Sequence, residues 1–218
     1  MKVKVWGSAD RVAELLEKGL GSSDVIVNGR EGPGDTDGYD LFIDLNFDEA
    51  GPAGPGWIPR IGARPVLLNT ICTSLSEIQS GESLLFGFNS WPTFINRSLA
   101  EITAPVKEHL AELDKIMNQL DWKYVIVEDR AGMATPRIAA MIINEAYFTA
   151  GDGTATREDI DAAMKLGTRY PYGPFEWGER IGKSAICRLL EKLHRDTGDD
   201  RYLVAPLLKS ASRSITDC

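Results

Sequence analysis

Asp161-Ala162-Ala163-Met164-Lys165-Leu166-Gly167-Thr168-Arg169-Tyr170-Pro171-Tyr172-Gly173-Pro174-Phe175-Glu176-Trp177 is the stretch on which the reading of the fold turns. Its first third has the spacing of an amphipathic helix, and the remainder is a turn of glycine, proline and aromatic residues closed by Glu176. Helical periodicity extends to both sides, over Arg137 to Phe148, Glu158 to Leu166 and Ile186 to His194. The carboxy-terminal part, residues 129–218, is therefore expected to be all-helical.

Before residue 128 the pattern alternates instead. Val3 to Trp6 reads as a strand, Ala9 to Lys18 as an amphipathic helix, and Asp24 to Val27 as a second, buried strand. Strand, helix, strand is the opening of a parallel α/β layer. Further strands are expected at Tyr39 to Leu45, Pro65 to Leu68, Leu84 to Phe88, Leu99 to Ile102 and Lys123 to Val127, with a helix over residues 105–120. Gly/Pro-rich loops at 28–38 and 51–56 punctuate this half. The expected architecture is thus a mainly parallel, truncated Rossmann-like sheet over residues 1–128, followed by the helical domain.

With 218 residues and 43% apolar composition, the chain can bury a substantial core. Its formal charge of −8 argues against a nucleic-acid partner, which selects for a basic face. No apolar run reaches the roughly 20 residues that span a bilayer, and Met1 to Trp6 has no signal-peptide core, so a cytoplasmic location without membrane association is expected. Cys72, Cys187 and Cys218 lack metal-ligand spacing, and H-E-x-x-H, C-x-x-C and Walker patterns are absent. No metal site is expected.

The opening stretch resembles the carboxy-terminal domain of 3-hydroxyacyl-CoA dehydrogenases, where D-x-A-M-x-x-G precedes Y-P-x-G-P-F-E and another helix. That domain is similar to the helical domain of 6-phosphogluconate dehydrogenase. The resemblance runs over about residues 66–208. Asn69-Thr70-Ile71-Cys72-Thr73-Ser74-Leu75 is similar to the family's N-T-S-S-L-S segment. Gly87-Phe88-Asn89-Ser90-Trp91-Pro92 resembles H-F-F-N-P-V-P, and Glu101 lies where the family has the acid of its L-V-E strand. Asp129 to Arg137 resembles D-x-P-G-F-x-x-N-R. The first 65 residues match only in outline, because the family inserts helices after its second strand where this chain has a single loop.

The resemblance implies NAD as cofactor and a catalytic His oriented by a Glu, and the residues depart from both. A dinucleotide fingerprint, G-x-G-x-x-G, permits a tight turn, approach of the backbone to pyrophosphate, and close packing of helix on sheet. Here it reads Gly7-Ser8-Ala9-Asp10-Arg11-Val12, with one glycine of three. Gly7 and Arg11 are the only candidate cofactor contacts, and Asn28-Gly29 stands where an acid would bind ribose. The family's His falls on Phe86, which exchanges no proton. Glu101 is left without the imidazole it would orient. The family's first serine falls on Ile71 and its interdomain Asn on Pro136, with Thr135 as the expected helix cap. The resemblance makes Asn69, Thr70, Cys72, Asn89 and Trp91 candidate lining of a substrate cleft.

Two functions follow. In the first, the chain is a divergent family member without NAD-dependent hydride transfer, acting as a binding or assembly protein, with an acyl-CoA-like small molecule as a conceivable ligand. In the second, it is an active oxidoreductase on a 3-hydroxyacyl-CoA, such as 3-hydroxybutyryl-CoA, or a small hydroxy acid, with NAD held by a divergent loop. Family resemblance and the apolar faces of residues 138–143 and 186–193 predict a homodimer through the helical domain.

Overall fold

A computed structural model describes residues 1–29, 32–49, 56–78 and 82–213. The chain forms two compact units, Met1–Met133 and Ala134–Cys218. In the first, the elements are β1 (Lys2–Trp6), α1 (Ala9–Lys18), β2 (Asp24–Asn28), β3 (Leu41–Asp44), α2 (Ile58–Ile61), β4 (Pro65–Asn69), β5 (Leu84–Phe88), β6 (Leu99–Thr103), α3 (Leu110–Leu120) and β7 (Lys123–Val127).

These strands make one sheet in the order β2-β1-β3-β4-β5-β6-β7. Every neighbouring pair is parallel except β5 and β6, where Gly87 faces Thr103 and Phe88 faces Ile102. The sequence dictates two cores because side chains alternate across a strand. Val3, Val5, Leu67, Phe86, Phe88 and Ile102 meet α1 and α3 on one face. Trp6, Phe42, Trp57, Val66, Leu68 and Leu85 cluster with α2 on the other. Both faces of the central strands are buried, as a parallel sheet requires. Removing Leu113, wholly buried between α3 and the sheet, would cost about 2–5 kcal/mol.

Three sequence expectations need correction here. The second strand is not buried: β2 is an edge, and Ile26 and Val27 are 46% and 49% exposed. An apolar run cannot itself reveal whether a strand has one neighbour or two. The helix expected from residue 105 begins as α3 at Leu110, after a 3₁₀ turn over Lys107–His109. The third concerns the helix expected from Arg137. Thr135 is not its cap; the helix starts at Thr135, with Ala134 ahead of it and Pro136 in the first turn, where no N–H is needed. Of the loop at 51–56, all but Gly56 lies outside the described residues, as does Cys218.

The second unit holds α4 (Thr135–Gly151), α5 (Arg157–Thr168), α6 (Pro174–Ile181), α7 (Lys183–Thr197) and α8 (Pro206–Arg213). The opening stretch spans α5, its turn and α6, and the structure explains its letters. The Asp161 carboxylate accepts the Phe175 N–H at 2.8 Å and the Glu176 N–H at 3.1 Å, satisfying two donors at the start of α6. A Cβ on Gly173 would lie 2.2 Å from Asp161 Cγ, so only glycine fits beside that carboxylate. Pro174 occupies the first position of α6, and Phe175 packs on Tyr147 of α4 at 4.7 Å between ring centroids. Further on, Asn144 donates to the Leu203 carbonyl and accepts from the Ala205 N–H, both at 2.8 Å, fixing the entry to α8.

Candidate functional site

In an open α/β sheet, ligands bind outside the carboxyl ends of the parallel strands, and a nucleotide's pyrophosphate sits at the amino terminus of the first helix. In this chain those places are filled from within. Arg11, in the first turn of α1, is 5% exposed. Its Nη1 donates to the Leu45 carbonyl at 2.7 Å and to Asn46 Oδ1 at 2.8 Å, and lies 2.9 Å from Glu49 Oε1. Asn46 Oδ1 also accepts the Ser8 N–H at 3.2 Å. A carboxamide thus takes a turn N–H that would otherwise be available to an anion.

Gly7 survives for a packing reason. A Cβ there would be 2.6 Å from Leu45 Cβ, so the turn after β1 could not pass β3 with any other residue. At the position of the third fingerprint glycine, Val12 is buried in the core against α3 and the sheet. At the end of β2, Asn28 donates to the Gly32 carbonyl at 2.7 Å. The described residues do not fit a dinucleotide: Arg11 is committed to β3 and its following turn, and at the end of β2 the described residues, Asn28 and Gly29, include no acid. Arg11, the candidate cofactor contact beside Gly7, is thus bonded to Leu45, Asn46 and Glu49.

Two carboxylates at these strand ends went unnoticed in the sequence. Asp44 is 4% exposed, and its Oδ1 accepts the Asn46 N–H at 2.9 Å. Burial pushes its pKa up to about 7, against the opposing effects of hydrogen bonds from Asn46 and Trp6. Asp48 receives three consecutive N–H groups after β4, from Ile71 at 2.6 Å, Cys72 at 2.9 Å and Thr73 at 3.1 Å. Burial raises its pKa to about 6 despite those bonds. The available signal was acidic residues within the apolar run Leu41-Phe42-Ile43-Asp44-Leu45-Asn46-Phe47-Asp48, where a charge needs a local partner.

Phe86 is wholly buried beside Ile102 on the face packed by α1 and α3. Glu101, adjacent to Ile102 in β6, points to the other face, as do Thr103 and its partner Gly87. Phe86 and Glu101 therefore lie on opposite sides of the sheet, and a side chain at 86 cannot be oriented by that carboxylate. On Glu101's face the space beside β5 is taken: a Cβ on Gly87 would lie 2.0 Å from Thr70 Oγ1 and 2.3 Å from Thr103 Oγ1. Neither hydroxyl has a hydrogen-bond partner among the described residues. Glu101 itself is attracted by Arg97.

The expected cleft residues do gather at the ends of β4 and β5, but as packing. Asn69 is 1% exposed and its Oδ1 accepts the Ser90 N–H at 3.4 Å. Asn89 accepts the Trp91 N–H at 3.1 Å, while Thr70, Asn89 and Trp91 are all buried. Cys72 alone of the five is half-buried. Ile71 is wholly buried, and its carbonyl accepts the Gly132 N–H at 2.6 Å. Pro136 lies in the first turn of α4 in the other unit. His109 stands edge-on to Phe86 with 6.4 Å between centroids, and His194 meets the Asp199 carbonyl at 3.1 Å. No cluster of three metal-ligating side chains occurs among the described residues, nor any helix long and apolar enough to cross a membrane.

The architecture is a mainly parallel Rossmann-like sheet followed by a helical domain. The sequence profile of the 3-hydroxyacyl-CoA dehydrogenase C-terminal domain matches residues 132–214. A 3-hydroxybutyryl-CoA dehydrogenase of Clostridioides difficile is 37% identical over 155 residues, 67% of this chain and 54% of that protein. The 3-hydroxyadipyl-CoA dehydrogenase of Escherichia coli is 47% identical over 83 residues, 38% of this chain and 18% of that protein. The chain thus matches from a fifth to about half of those relatives' length. Among solved structures, FadB2 of M. tuberculosis superposes with a TM-score of 0.76 at 15% identity, covering 97% of this chain and 93% of that one. The (S)-3-hydroxybutyryl-CoA dehydrogenase PaaH1 of Ralstonia eutropha gives 0.69 at 18%, covering 96% and 92%. The chain belongs to the 3-hydroxyacyl-CoA dehydrogenase family.

Proposed function

We propose that this chain is a family member that has given up NAD-dependent hydride transfer and serves as a binding or assembly protein, acting as a homodimer through its helical unit. The observation that carries the reading is the network of Arg11, Leu45, Asn46, Ser8 and Glu49, which occupies the turn a pyrophosphate would need. The position of Phe86 opposite Glu101 supports it independently, since a general base must reach the proton it removes.

Dimerisation is supported by α5, which has no fully buried residue. Its Ile160, Ala163 and Met164 line, with Met141 and Ile142 of α4, an apolar cavity of about 570 Å³, and Leu166 is 84% exposed. A Cβ on Gly167 would meet nothing within 4 Å, so this chain alone supplies no reason for glycine there. A second copy laid across α5 would. Cys72 and Cys187 stand as thiols, which supports a reducing, cytoplasmic setting.

The test is thermal unfolding with and without NADH. A ligand at a hundred times its dissociation constant stabilises a fold by about 2.7 kcal/mol. The proposal expects no shift with NADH. A saturable upward shift would favour the second reading, an active oxidoreductase on a 3-hydroxyacyl-CoA or small hydroxy acid.

A further inference from the structure

At the carboxy-terminal end of α1, the first unit has a separate concavity of about 420 Å³. Lys18 comes to it from the last turn of α1, Arg97 and Ser98 from the segment before β6, Asn118 from the end of α3, and Trp122 and Lys123 from the start of β7. Asp121 is its one carboxylate. In a chain with a net charge of −8 this is a local reversal of sign.

The Lys18 ammonium donates to the Arg97 carbonyl and stands 4.9 Å from the centroid of the Trp122 ring. Among the described residues no carboxylate pairs with Lys18 or Lys123. Arg97 differs, being drawn to Glu101 and Glu14. The uncompensated cations are therefore the two lysines. Burial lowers the pKa of Lys18, a cost that an anion in the pocket would relieve.

Lys18 is not needed to close the helix ends around it. The Gly19 N–H already serves the Leu15 and Leu16 carbonyls, and the N–H groups of Asp121 and Trp122 serve those of Asn118 and Met117. Trp122 is pinned by its own indole N–H, which donates to the Gly19 carbonyl at 2.8 Å. The Ser98 hydroxyl and the Asn118 carboxamide make no hydrogen bond within the described protein. Two cations, two uncommitted polar groups and a fixed aromatic wall converge on one space.

We propose that this pocket binds a small molecule through its oxyanion, a phosphate or carboxylate, paired with Lys18 and Lys123 and hydrogen-bonded by Ser98 and Asn118. The volume exceeds that of a bare ion and falls in the ordinary range for small-molecule sites, about 300–1,000 Å³. None of the lining residues is a candidate for cofactor, substrate or hydride chemistry, so the proposal does not depend on how the family chemistry is read.

The test is a nuclear magnetic resonance titration of the ¹⁵N-labelled protein with inorganic phosphate and, separately, with citrate, at ionic strength matched by chloride. The indole N–H of Trp122 and the amides of Ser98 and Asn118 are the reporters. Saturable shifts confined to these signals are expected with at least one anion, phosphate or citrate identifying which oxyanion the site prefers. Lys18→Met, which keeps the aliphatic stem, is expected to weaken binding about tenfold, equivalent to about 1.4 kcal/mol. Lys123→Met provides a second variant at an exposed position and is expected to weaken binding without altering the unfolding temperature. Shifts that do not saturate, that spread over all surface lysines, or that persist unchanged in Lys123→Met would overturn the proposal.

Discussion

Replacing Gly173 with alanine tests the reading of the stretch that joins α5 to α6. The new Cβ would lie 2.2 Å from Asp161 Cγ, 2.3 Å from its Oδ1 and 2.4 Å from its Cβ. Asp161 must then move, and the N–H groups of Phe175 and Glu176 lose their acceptor. Loss of a helix cap costs about 0.5–2 kcal/mol, and hydrogen bonds to a charged group are each worth about 1.5–3 kcal/mol, part of which solvent restores at this partly buried site. We expect Gly173→Ala to cost about 3 kcal/mol and Asp161→Ala about 2 kcal/mol. Because both remove the same two bonds, the double variant should cost about 3 kcal/mol, well below the sum. Urea unfolding followed by circular dichroism measures all three. In a chain of this length each kcal/mol moves the thermal midpoint by about 2–4 °C. A neutral Gly173→Ala, or a strictly additive double variant, would refute the account of why these letters recur together.

Stability should fall between about pH 4 and pH 8, because the folded pKa values of Asp44 and Asp48 are raised to about 7 and about 6. Their neutral forms favour folding below the unfolded value of 3.8, and that stability is lost as pH rises through the folded values; Asp44 alone accounts for up to about 4 kcal/mol. Asp44→Asn should flatten much of this slope in urea midpoints, and an unchanged slope would remove Asp44 as its cause. Arg11→Met should destabilise by about 2–4 kcal/mol, since it deletes buried bonds to Leu45 and Asn46. Unchanged stability would show that Arg11 is held for something other than the fold. Leu166→Glu should turn a dimer into a species of 23.9 kDa by light scattering, and a wild type already at that mass at tens of micromolar would contradict the dimer. An obligate dimer would persist at such concentrations.

Much of the architecture was legible because periodicity reports which face of an element is buried. Val12, Leu15, Leu113 and Met117 announce their helices, and the strands from β1 to β7 follow from short apolar runs. What periodicity omits is neighbourhood. The exposed edge position of β2 depends on which strand ends the sheet, and α3 begins late because Pro105 and Val106 precede a 3₁₀ turn rather than a helix. At the site, matching letters placed Phe86 where the family has its His, but letters do not carry the facing of a residue. Only the pairing of Gly87 with Thr103 shows that Phe86 looks away from Glu101. Arg11 read as a solvated or phosphate-binding residue because its partners, Leu45, Asn46 and Glu49, lie more than thirty positions along the chain. Asp44 and Asp48 escape a sequence reading for a related reason: their meaning rests on burial, which the surrounding apolar letters only suggest.

The central claim, that this chain does not transfer hydride between NAD and a 3-hydroxyacyl-CoA, is tested most directly by mixing it with NADH and acetoacetyl-CoA and following loss of NADH absorbance. We expect no turnover, and none in Phe86→His, because that imidazole would enter the core on the face away from Glu101. Turnover by the wild type at about 1 per second or faster, the lower end of ordinary enzymes, would contradict the account.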